Sequence, residues 1–148
     1  MLIDERTLWP PDGKFVTANI VARPDYLQQN PDVVKKLLAA NVNETSWINN
    51  HTDTAIKAFN TEFKKLTGKT LAENELRQAW SRIQFTYDPL KLSLFQGANS
   101  AYDLGLLAKG KPKPDMSGIY DLTILNEVLK EKGLQPIGVA GVLAEAIP

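Results

Sequence analysis

Residues 15–41 read FVTANIVARPDYLQQNPDVVKKLLAAN. The opening residues are rich in β-branched side chains, and with the preceding lysine they predict a strand from about Lys14 to Ala22. RPD and NPD follow at once. Pro24 and Pro31 each stand where a helix can begin, because the missing N–H of proline is an orphan in a first helical turn anyway. Asp25 or Asp32 then lies in that turn, favourable to the positive end of the helix dipole, and Asn30 is a good N-cap. The stretch therefore predicts a strand, a short helix and a long helix. A strand that passes so abruptly into helix must come from somewhere and pair with something.

Outward from this stretch the pattern is helix after helix. In the long one, Val33, Val34, Leu37, Leu38, Asn41, Val42, Thr45 and Ile48 recur at threes and fours, which predicts an apolar stripe over Pro31 to about Asn49. Ile56, Phe59, Phe63 and Leu66 form the next period, closed by Gly68 as a left-handed cap after Lys64 and Lys65. A further helix is expected over roughly Ala72 to Ile83, with Leu76, Ala79, Trp80 and Ile83 on one face. QFTYDP is an extended link, and Leu94, Ala98, Ala101 and Gly105 mark a helix with a small-residue face. KGKPKPDMSG is a basic Gly/Pro connection in which proline removes the backbone donors that an anion-binding loop would use. YDLTILNEVLKEKG is the last helix, with Asp121 near its start, Leu122, Leu125, Val128 and Leu129 inward, and Gly133 ending it.

Upstream, WPPDG is a turn, since paired prolines fix φ and Gly13 admits φ > 0. The fold class is mostly α with one or two short strands. A lone strand cannot satisfy its own edges, and the only short partners on offer are LIDE near the start and QFTY at residues 84–87.

Composition bounds the function. The chain has 148 residues, 43% of them hydrophobic and 23% charged, which suits one globular domain. Lys plus Arg equals Asp plus Glu at 17 each, so no excess of cations favours nucleic acid or an anionic membrane. There are no cysteines, which removes disulfides, thiolate zinc sites and cysteine nucleophiles. MLIDERTLWPPDG has early charges and no apolar run, so it does not read as a signal peptide. The apolar tail IGVAGVLAEAIP is too short to span a bilayer, so no membrane insertion is expected.

LWPPDGKFVTANIVARPDYLQQNPDVVKKLLAANVNETSWINNHTDTA, then AWSRIQFTYDP and SGIYDLTILNEVLKEKGL, resembles the C-terminal part of ABC-transporter substrate-binding proteins of the aliphatic sulfonate, nitrate and taurine group. The likeness runs from about Leu8 to Leu134. NPDVVKKLL alone is weak; its order with the preceding strand and the GIYDLTILNEVL ending is specific. The resemblance implies a C-terminal fragment of a two-lobed α/β periplasmic-binding-protein fold of type II. Residues 1–22 would end the second lobe and form the return hinge strand, residues 23–135 would be the helical end of the first lobe, and 136–148 a tail. The parallel sheet and N-terminal half would lie in a longer, periplasmic or otherwise extracytoplasmic parent.

A complete member of that family encloses a small oxoanion-bearing solute and presents it to ABC permease subunits, with no bond made or broken and no cofactor. Such a cleft uses hydroxyls, backbone amides and sometimes Arg, so the resemblance points to Thr17, with Phe15 and Trp9 near it, as this chain's part of the ligand site. Thr17 reads equally as a β-branched strand residue, and for Trp9 and Phe15 core or hinge packing is the favoured role. Arg23 ends the strand and is as well placed to cap a helix or pair with Asp25.

Rival chemistry finds little. His51 is the only histidine, which leaves no histidine pair for a metal and no dyad, and in NNHTD it reads as a helix-boundary residue. Glu73 and Glu75 lie two apart on a helix and do not face each other, and Asp4 with Glu5 is no better an acid and base pair. The superfamily's thiamin-pyrimidine synthases use a cysteine-rich motif that this chain lacks. Enzyme activity is therefore not expected. The alternative of another class is a freestanding helical module that binds a partner protein through its apolar faces. A fragment severed from its sheet should leave apolar surface open, whereas a module should close its core.

Overall fold

The computed structural model describes residues 4–9, 13–107, 110 and 112–138. Among these residues six α-helices run in order: α1 (Pro24–Gln29), α2 (Pro31–Asn50), α3 (Thr52–Thr67), α4 (Glu73–Trp80), α5 (Lys91–Asp103) and α6 (Thr123–Glu131), after one 3-10 turn at Glu5–Thr7. Each helix stands in a stretch where apolar periodicity or a leading proline predicts one, although none of the N-cap residues of α1 and α3–α6 makes a side-chain cap hydrogen bond. Among the described residues there is no strand.

The strand expected over Lys14–Ala22 is the main correction. These residues run without helix, turn or bend, but no ladder hydrogen bond forms along them among the described residues. A β-prone segment becomes a strand only when a second one supplies hydrogen bonds, and neither suggested partner does. Leu2 and Ile3 of LIDE lie outside the described residues, while Asp4 and Glu5 enter the 3-10 turn, whose Thr7 N–H donates to the Asp4 carbonyl at 3.2 Å. QFTY forms no strand either; the Phe85 carbonyl accepts from Asn49 Nδ2 at 3.1 Å instead.

The chain divides into two compact units. One comprises residues 1–35 and 88–148, the other residues 36–87. In the first, Leu125, Val128 and Leu129 of α6 are buried, as is Val34 in the opening turn of α2. Lys35 ties that turn to α6, with Nζ 2.7 Å from a Glu131 carboxylate oxygen and 3.5 Å from one of Glu127. α6 ends in a Schellman motif: Gly133, at φ 69°, donates to the Lys130 carbonyl and Leu134 N–H to that of Leu129 at 2.8 Å. The chain beyond is then held by Asn126, whose Nδ2 donates to the Ile137 carbonyl at 3.1 Å while its Oδ1 accepts from the Ile137 N–H at 2.8 Å. The last residues of the tail lie outside the described set.

In the second unit, Val42, Thr45, Ala55, Ile56 and Leu76 are buried and α3 packs on α4. Arg77 of α4 joins Asp53 at 2.6 Å and Glu73 at 2.9 Å. Gly68 caps α3 at φ 73°, its N–H donating to the Lys64 carbonyl, and Asn60 grips the backbone of Leu71 as Asn126 does that of Ile137. α4 is shorter than the expected Ala72–Ile83, because after Trp80 the chain tightens through Arg82 N–H to the Ala79 carbonyl and Ile83 N–H to that of Trp80. The α2 stripe is also narrower than expected. Val33 and Leu37 are exposed, since each lies about 100° round the helix from Val34 and Leu38.

Candidate functional site

The residues singled out from the sequence cluster at the start of the first unit. Pro10, Pro11 and Asp12 of the expected turn lie outside the described residues, but its ends are described: Gly13 N–H donates to the Trp9 carbonyl at 2.7 Å, with Gly13 at φ 69°. A Cβ there would fall 1.9 Å from the Arg6 carbonyl oxygen, so no other residue fits without backbone movement. Trp9 and Phe15 meet, ring centroids 4.6 Å apart and planes inclined by 40°. Trp9 is half-buried and Phe15 exposed, an aromatic pair that braces the entry to the segment. Thr17 lies beyond it with its side chain exposed.

Two contacts from distant sequence position the segment. Ser93, buried in the first turn of α5, donates from Oγ to the Lys14 carbonyl at 2.7 Å. Further along, the Asn19 side chain hydrogen-bonds Tyr120, whose Oη also donates to the Pro89 carbonyl at 3.3 Å. Burial pushes the Tyr120 phenol above its ordinary value, the Asn19 hydrogen bond opposes this, and the Asp88 charge adds to it. The phenol is therefore neutral at physiological pH and acts as a hydrogen-bonding group. Ser93, Tyr120 and Asn19 escaped the sequence reading, because nothing local marks a serine 79 residues away as the partner of Lys14.

The cations beside the segment are largely engaged. The Arg6 guanidinium is held by Asp4, with Nε at 2.9 Å and Nη2 at 2.6 Å, and this hydrogen-bonded pairing raises its pKa. Arg23 takes the pairing role suggested for it, 2.8 Å from Asp25, and makes no side-chain cap. Lys91 sits over the ring of Phe95, 5.3 Å from its centroid. Lys14 is exposed. What converges around residues 14–22 is thus a set of neutral hydrogen-bonding groups, Thr17, Asn19, Ser93 and Tyr120, with an aromatic pair at one end.

His51 lies in the second unit and is a boundary residue as read from NNHTD. It precedes α3, its Nδ1 is 3.0 Å from the Trp47 carbonyl, and its ring stacks on Trp47 at 5.5 Å. Among the described residues no three His, Asp or Glu side chains are grouped as a metal site, and no helix is long and apolar enough to cross a membrane.

No family model, curated protein or solved structure matches this chain.

Proposed function

We propose that this chain is part of a solute-binding protein that captures a small oxoanion-bearing solute, of sulfonate, nitrate or taurine type, for an ABC importer, and that it carries an incomplete binding site. In this reading the partners are the solute and, through the longer protein, the permease subunits. The work takes place outside the cytoplasm and involves no catalysis and no cofactor. Thr17 is the ligand hydroxyl and the pair Trp9 and Phe15 stiffens the hinge beside it. The reading draws on the ordered motifs from Leu8 to Leu134.

One observation supports it above the rest. Among the described residues eight hydrophobic ones are buried while large ones stand open, among them Val21 at 89%, Leu66 at 86%, Phe15 at 53% and Leu37 at 52% exposure. A freestanding module would have closed its core over such side chains; a piece of a larger fold would leave them for the missing elements to cover.

A cleft of this kind closes around its ligand from two walls, and expulsion of water strengthens each charge-assisted hydrogen bond. A single wall offers one or two neutral hydrogen bonds of about 1 kcal/mol each, whereas micromolar affinity requires about 8 kcal/mol. Titration calorimetry of the isolated chain with taurine, alkanesulfonates, nitrate and sulfate should therefore give binding no tighter than millimolar. Saturable micromolar binding of any of them would mean a complete site and overturn the fragment reading. The genomic frame upstream of the Met1 codon gives the positive arm, where a signal peptide followed by strand–helix repeats is expected.

A further inference from the structure

We propose that residues 15–21 pair, antiparallel and centred on Ala18, with the same residues of a second copy of this chain. The inference stands on the segment itself and gives Phe15 and Val21 a second copy as cover, where the transport reading gives them the missing elements of a longer chain.

The backbone is available and held in place. Among the described residues no N–H or carbonyl from Phe15 to Ala22 enters a backbone–backbone hydrogen bond. Ser93 fixes the carbonyl of Lys14 at one end and α1 begins at Pro24 at the other. Ordering entropy for this stretch is thereby partly met before any partner arrives.

The edge also lacks the usual protections. Natural edge strands are blunted by charge, proline or a bulge, yet FVTANIVA contains neither a charged residue nor a proline. All of it but Val16 is exposed.

The pattern names the partner. About Ala18 the residue classes mirror each other: Phe15 answers Val21, Val16 answers Ile20, and Thr17 answers Asn19. With Ala18 opposite Ala18, a two-fold pair sets aromatic against β-branched, β-branched against β-branched, and hydroxyl against amide, each twice. Lys14 then falls opposite Ala22. Moving the register by one residue places Lys14 opposite Arg23, like charge against like, and Thr17 opposite Ile20. The self-paired register centred on Ala18 is the one without a mismatch.

A ribbon of two short strands is marginal by itself, so the dimer should be weak and concentration-dependent, with a dissociation constant of about 10–500 μM. Sedimentation equilibrium of the full chain across that range is the measurement. Replacing both neighbours, Thr17→Pro with Ala18→Pro, removes a central ladder donor from each strand whichever alternate set of N–H groups faces the partner. It should raise the dissociation constant by about tenfold or more, with helical circular dichroism unchanged. Because the chain has no cysteine, a second arm is clean: Phe15→Cys mixed with Val21→Cys should form a disulfide-linked pair under mild oxidation faster than Val21→Cys alone. A chain that stays monomeric throughout would overturn the proposal, as would a dimer indifferent to the double proline replacement. So would Val21→Cys linking to itself as fast as the mixture, the signature of parallel pairing.

Discussion

Residues 14–22 and α6 are stretches of equal length in the same unit, both rich in aliphatic side chains, and they end in opposite states. In α6, Val128 and Leu129 are 1% and 0% exposed; in the other stretch, Val21 is 89% exposed. The difference lies in who satisfies the backbone. A helix closes its own hydrogen bonds and presents a ready apolar face, so that Leu125, Val128 and Leu129 need only a surface to meet. A strand depends on a neighbour for every one of its ladder bonds. KFVTANIVA has the composition of a strand and no second strand beside it among the described residues.

The largest test of this contrast is truncation in the two stretches. Leu129→Ala should lower unfolding free energy by about 2–5 kcal/mol, whereas Val21→Ala should change it by less than about 0.5 kcal/mol. Urea titrations followed by circular dichroism give both values. Equal losses would mean that the extended stretch is packed after all.

A smaller effect compares the two asparagine grips. Asn126 holds a partly buried Ile137 peptide and Asn60 a more exposed Leu71 peptide, through the same two hydrogen bonds. Asn126→Ala should cost about 1–3 kcal/mol. Asn60→Ala should cost less, because water replaces what is lost at Leu71. Hydrogen exchange at the Ile137 and Leu71 amides reports each site separately.

Ser93→Ala should cost about 1 kcal/mol by releasing the Lys14 carbonyl. It should also loosen the pairing edge, which reads as faster proteolysis between residues 14 and 23 with the helices intact.

The smallest effect is in acid. Asp121 accepts the Thr123 N–H at the start of α6, and that hydrogen bond holds its carboxyl below the ordinary range. A folded value below the unfolded one means that the stabilisation is whole above about pH 4 and fades as the pH falls through the folded value. Thermal midpoints of the wild type should therefore approach those of Asp121→Asn as the solution is acidified below about pH 4. A gap that widens instead would reverse the assigned sign.

Much of the helical framework was legible beforehand. Pro24 and Pro31 open α1 and α2, Gly68 and Gly133 stop α3 and α6 at positive φ, and the inward trio of α6 falls where threes and fours place it. The candidate site was legible only in part. Trp9 and Phe15 meet across only six positions of sequence, while the hold of Ser93 on Lys14 and of Tyr120 on Asn19 spans most of the unit.

By itself, then, the sequence determined which stretches become helices and where prolines open and glycines close several of them, because proline, glycine and apolar period act within one or two turns. The ends of α4 and α6 fall inside the expected spans. Tertiary structure alone decided that Val33 and Leu37 stay in water while Val34 is buried, and that a β-prone stretch remains an unpaired edge. Burial and strand pairing are properties of two surfaces, and a residue's own chemistry describes only one of them.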